Sequence, residues 1–174
     1  VPSVGDSRRP ADVGCGARLI NDVLAYQWVT GRPPPHVAVA PGGCFAMLRN
    51  TLERIGGFAA MRDFGLEDVE LSLRAWRFGL PIVTAAASSV LHDFRHEAPY
   101  RSRPESWLAN VFLTALLHFD QQRLQRTMLA AAGFSSFSAA ITSVLCSGWL
   151  ERKTWIDAHA MRPLRDYWVQ FKSA

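Results

Sequence analysis

Glu67 and Asp68 stand side by side in the stretch FGLEDVELSLRAW, residues 64–76, with Glu70 two positions on. Adjacent carboxylates facing a ligand cleft can hold sugar hydroxyls or take a proton as a general base. Acids at a helix start also complement the positive end of the helix dipole, so the same cluster fits a plain first turn. A second group is Pro41-Gly42-Gly43, a turn without side chains. Such a turn lets a ligand or another backbone approach closely, or simply reverses the chain. A third is His92-Asp-Phe-Arg95-His96, which follows an apolar run. An imidazole there can ligate a divalent metal and Arg95 can meet phosphate oxygens, although a lone histidine is more often a packed polar residue.

These groups need elements to hold them. Residues 37–40 read as a buried strand running into the Gly-Gly turn, and residues 44–48 as a second short strand. Asn50-Thr-Leu-Glu53 has the form of a capping box, with Gly56-Gly57 as the stop of a short helix. The spacing of Leu66, Val69, Leu73, Trp76 and Leu80 predicts a helix from about Glu67 to Gly79 with one apolar face. On it, Glu70 and Arg74 are one turn apart and are expected to pair on the outside. Residues 81–84 and 88–91 read as strands. Residues 1–36 are loop-rich, with one strand or helix at 19–29. From about residue 101 the texture becomes helical: Ser102-x-Pro104-Glu105, Asp120, Ser138 and Pro163 are the helix starts. The fold class is therefore α/β, divided into residues 1–101 and a helical tail at 102–174.

The chain has 174 residues, 49% of them hydrophobic, enough for a core. Its net charge of +4 is spread along the chain and carried by arginine, apart from Lys153 and Lys172. No basic run marks a nucleic-acid arm, so nucleic acid is not an expected partner. Cys15, Cys44 and Cys146 are far apart and form no metal or disulfide framework, which points to a reducing, cytoplasmic setting. Residues 127–150 carry no charge but hold seven Ser or Thr and two Gly, a buried helical hairpin ahead of a membrane contact.

Taken together, Gly42-Gly43, FGLEDVELSLRAWRFG and SSVLHDFRHEAPY resemble the second half of a GT-A glycosyltransferase of the family 2 type. The resemblance is closest to the branch containing the polypeptide N-acetylgalactosaminyltransferases and covers about residues 37–101. It implies a sugar transferase that uses a nucleotide-sugar donor, UDP- or GDP-linked, and a divalent metal, usually manganese. By that resemblance His92 is a metal ligand. Arg95 and Tyr100 lie on a loop over the nucleotide diphosphate, and Phe64 and Gly65 line the substrate. Gly42 and Gly43 flank donor sugar and acceptor. Glu67 contacts the transferred sugar, and Asp68 takes the position that is the base in many inverting relatives. Asp68 leans towards inversion and the His-x-Phe-Arg segment towards retention.

The family's Asp-x-Asp or Asp-x-His motif and its nucleotide-binding strands are not found in the sequence. The chain reads as beginning just after them, so residues 1–174 alone are expected to be inactive. The tail is expected to shape the acceptor site or to make an oligomer or membrane-surface contact. The rival expectation is a non-catalytic interaction module that keeps the fold without the donor half.

Overall fold

The computed structural model of the chain describes residues 14–32, 34–90 and 103–172. Among them are seven helices and one two-stranded sheet, a mixed α/β content weighted towards helix. Strand β1 (Gly14–Leu19) pairs antiparallel with β2 (Tyr26–Thr30), setting Ala17 opposite Trp28 and Leu19 opposite Tyr26. The segment 19–29 is thus the end of one strand, a turn and most of another. Leu24 takes a left-handed φ of 64° in that turn, and the Asn21 side chain accepts from the Ala25 amide at 2.9 Å.

Four expected strands are not strands over their described residues. Residues 37–39 are buried, but they meet β1 only where Ala17 and Val39 exchange both backbone hydrogen bonds. The Val37 amide turns elsewhere, to the Ile82 carbonyl at 3.1 Å, and Pro41 has no amide with which to continue a ladder. At 44–48 the Cys44 amide closes the glycine turn onto the Pro41 carbonyl and no ladder follows. Residues 81–84 and 88–90 are irregular, tied to the sheet region by single contacts such as Thr84 Oγ1 to the Cys15 carbonyl. Leu91 lies outside the described residues.

Helix α1 (Arg49–Arg54) forms where expected, but without the capping box; Leu48 precedes it with no side-chain cap. Helix α2 (Glu67–Arg77) matches its prediction and ends before Gly79, whose φ of +76° suits a glycine. It is followed by α3 (Pro104–His118), α4 (Gln121–Ala131), α5 (Phe137–Leu145), α6 (Trp149–His159) and α7 (Leu164–Phe171). Asp120 caps α4 by accepting from the Arg123 amide at 2.8 Å, and Pro163 precedes α7. Ser136, not Ser138, precedes α5, and it makes no side-chain cap.

Helix α3 is buried over most of its length and packs against α2, α4, α5 and α6. Phe112 stacks edge-on to Phe137 of α5 at 5.2 Å. From α2, Arg77 reaches the Leu117 carbonyl of α3 and Asp157 of α6. Trp76 packs on Tyr167 and Phe171 of α7, and Tyr167 donates to the Ala38 carbonyl at 3.1 Å. The uncharged stretch 127–150 spans three of these helices and buries Thr127, Ala131, Ala140 and Val144, while Leu129 and Leu145 are exposed. Among the described residues no helix is long and apolar enough to cross a membrane.

The expected outward pair Glu70–Arg74 forms, but inside the protein. Both residues are fully buried, because α3 covers this face of α2. Arg74 binds both Glu70 oxygens, at 3.0 and 2.7 Å, and also donates to the Ile55 and Gly57 carbonyls behind α1. Glu70 Oε1 lies 3.0 Å from His118 Nε2 at the end of α3. One ion network therefore joins the turn after α1, the middle of α2 and the end of α3.

This network makes stability depend on pH. Burial pushes the His118 imidazole below its ordinary range against the pull of Glu70, and the charges of Arg77 and Arg74 push the same way as burial. Burial alone would raise the Glu70 carboxyl, but the His118 hydrogen bond and charge, with Arg74, reverse this and hold it low. For both groups the unfolded chain takes up protons first, so acid favours unfolding. The melting temperature is expected to fall as pH drops below about 6.5, the unfolded histidine range, and further through the carboxylate range. His118→Gln should remove the first of these phases. Parallel pH profiles for wild type and His118→Gln would contradict this assignment.

Candidate functional site

The loop before α2 and the turn after residue 40 converge on the first turn of α2. Asp68 is the hinge of the arrangement. Its Oδ2 accepts from the Gly42 amide at 2.9 Å and its Oδ1 from its neighbour Val69 at 2.8 Å. One turn on, Ser72 donates to the Asp68 carbonyl at 2.6 Å and accepts from the Ala40 amide at 3.1 Å. Together these bonds dock segment 40–42 on the N-terminal end of α2. Glu67 folds back, its Oε2 accepting from the Gly65 amide at 2.9 Å.

Gly42 is not among the glycines with positive φ, and a methyl group there would sit at ordinary contact distance, so neither dihedral nor crowding demands a glycine. A Cβ on Gly42 would stand 3.6 Å from Asp68 Oδ2 and 3.7 Å from Glu67 Oε1, directly over the two carboxylates. Gly42 and Gly43 are the central residues of the turn closed from Cys44 to Pro41, and both are exposed. Gly65 does need its dihedral: its φ is +113°, next to a left-handed Leu66 at 68°. Phe64, just before it, is 48% exposed.

Burial raises the Asp68 carboxyl above its ordinary range, the Gly42 and Val69 amides pull it back, and the Glu67 charge pushes it up again. A carboxyl shifted this way holds its proton closer to neutrality, as a general base requires. Tyr26 of β2 is near enough to feel both acids: burial raises its hydroxyl, and the charges of Asp68 and Glu67 add to that. Its ring sits edge-on to Trp28 at 6.4 Å. Spacing gave no sign of Tyr26, because it reaches the site only through the sheet.

The structure thus brings Gly42, Gly43, Gly65, Glu67 and Asp68 together, with Phe64 on the same loop. His92, Arg95 and Tyr100 lie outside the described residues. Among the described residues no three His, Cys, Asp or Glu are grouped to hold a metal ion, and Glu67 and Asp68 are occupied by backbone amides. A cavity of about 360 Å³ lies elsewhere, between α2 and α7, walled by Trp76, Tyr167 and Phe171 with Arg162 beside them. No sequence-predicted site residue lines it.

No protein-family model matches the chain. A probable N-acetylgalactosaminyltransferase 8 of Caenorhabditis elegans is 42% identical over 65 residues, 37% of this chain and 15% of that protein. Human polypeptide N-acetylgalactosaminyltransferase 12 is 31% identical over 125 residues, 68% of this chain and 21% of that protein. The chain is a partial homologue of the polypeptide N-acetylgalactosaminyltransferases. Human polypeptide N-acetylgalactosaminyltransferase 13 adds 37% identity over 68 residues. The chain spans between 12% and 21% of the length of these three N-acetylgalactosaminyltransferases.

Proposed function

We propose that residues 1–174 form the acceptor-side half of a GT-A glycosyltransferase that moves a hexosyl or N-acetylhexosaminyl group from a nucleotide sugar to an acceptor. The observation that carries this reading is the docking of the Gly42 turn on Asp68 and beside Glu67, which leaves side-chain-free space over a pair of acids. Homology to N-acetylgalactosaminyltransferases gives that space its chemistry. In this reading Glu67 orients the transferred sugar, and Asp68 takes the acceptor proton. Phe64, Gly65 and Gly43 bound the substrate. Arg95 and Tyr100 close over the diphosphate, and His92 contributes one ligand to a manganese ion. The donor-binding strands and the remaining metal ligands come from outside residues 1–174.

Purified 1–174 given manganese and a panel of UDP- and GDP-sugars should then release no nucleotide, while the complete protein should. Robust metal-dependent release by 1–174 alone would contradict the division of labour. In the complete protein His92→Ala should weaken manganese and UDP binding together in calorimetry, with the loss partly masked by excess manganese. Unchanged metal affinity with only a lower melting temperature would make His92 a packing residue.

A second reading has one observation behind it. Both Asp68 oxygens are taken by backbone amides and the residue is only 6% exposed, which suits a structural fastener in a non-catalytic interaction module. It requires a complete protein that binds a partner and transfers no sugar.

A further inference from the structure

The loop that delivers Phe64, Gly65 and Glu67 is under conformational load. Asp63 at φ 49° and Leu66 at 68° both sit in the left-handed region, where a side chain is unfavourable, on either side of a Gly65 at +113°. Such conformations persist only where their surroundings hold them. The hold comes from α3, which is remote in sequence. Asn110, 1% exposed, uses its whole amide on this loop. Its Oδ1 accepts from the Arg62 amide at 2.8 Å, and its Nδ2 donates to the Arg62 carbonyl at 2.9 Å and to the Gly65 carbonyl at 2.8 Å. One turn earlier on the same face, Ser106 donates to Asp63 at 2.6 Å, joined by Arg103 at 3.0 Å.

The far side of the same peptide group series reaches the carboxylate: the Gly65 amide donates to Glu67 Oε2. We infer that Asn110 is a positioning residue for the transfer site, holding through Arg62 and Gly65 the loop that fixes the Glu67 carboxylate. This inference rests on the proposed transferase reading. Asn110 touches no reacting group in it; the residue acts by geometry. Only an amide of this length satisfies one donor and two acceptors at once. An aspartate would keep the acceptor for Arg62 and set a carboxylate against two carbonyls. A serine would leave most of the three partners unpaired.

The test uses the complete protein. Asn110→Asp, Asn110→Ser, Phe112→Leu and Glu67→Gln are compared for kcat, KM for the donor, melting temperature and amide exchange of residues 62–67. Phe112 lies in the same helix, fully buried against Phe137 of α5, so it reports the cost of weakening the packing of α3. The Asn110 variants are expected to speed exchange at 62–67. They should also lower kcat by about tenfold or more beyond any loss in Phe112→Leu at a similar melting temperature, with a smaller change in KM. Should Asn110→Asp fail to fold, Asn110→Ser, which adds no charge, carries the comparison. If Glu67→Gln loses turnover but the Asn110 variants track Phe112→Leu, the positioning role is wrong and the site reading stands. If Glu67→Gln keeps full turnover, the site reading itself fails and takes the inference with it.

Discussion

Arg74→Ala is expected to destabilise the fold severely, so that it unfolds at a much lower urea concentration. Arg74 is fully buried and satisfies four acceptors: both oxygens of Glu70 and the carbonyls of Ile55 and Gly57. Removing it strands a buried carboxylate and two carbonyls, a loss of about 3–5 kcal/mol. That is a large part of the roughly 5–15 kcal/mol by which a domain is folded. Arg74→Lys should fare little better, because one ammonium cannot grip both Glu70 oxygens and also reach two carbonyls. The contrast is Arg165→Ala, whose pair with Asp166 is exposed on both sides and should change stability by less than about 1 kcal/mol. Urea unfolding of the three variants checks this. A lower midpoint at unchanged slope is expected for the Arg74 variants. A loss as small as that of Arg165→Ala would mean that Glu70 and Arg74 face water, as the spacing alone suggests.

That spacing was informative about helices and poor about sides. The 3.6-residue recurrence of Leu66, Val69, Leu73 and Trp76 places α2 correctly, and Gly79 ends it as expected. It cannot show that α3 covers the opposite face, because burial of Glu70 and Arg74 is decided by a helix more than thirty residues away. The Asp120 cap and the Pro163 start are legible because each signal is local. The strands are not, since a strand is defined by its partner: the valines of 37–39 make one bridge and then lose their ladder to Ile82 and Pro41.

The site divides the same way. Glu67, Asp68 and the Gly42-Gly43 turn could be picked out by residue type, and they do meet. Tyr26 and Asn110 are delivered from the sheet and from α3, and no motif marks either one. The amide bonds to Asp68 were also invisible in sequence, and they change what its replacement should do. Asp68→Asn swaps one acceptor for a donor against a backbone amide, adding about 1–3 kcal/mol of instability to any loss of activity.

Glu67→Gln is the cleaner substitution. The glutamine carbonyl can still accept from the Gly65 amide, so the loop keeps its one visible bond to this side chain. The lost charge at the start of α2 is worth only about 0.3–1 kcal/mol. If Glu67 orients the transferred sugar, the loss appears in the transition state, where a positioned charged group contributes about a hundredfold or more in rate. Turnover and melting temperature of Glu67→Gln in the complete protein, measured side by side with wild type and the fitting nucleotide sugar, test this most directly. Turnover is expected to fall by about a hundredfold at a nearly unchanged melting temperature. Near-normal turnover would contradict it, and would reduce Glu67 to a well-placed residue at the start of a helix.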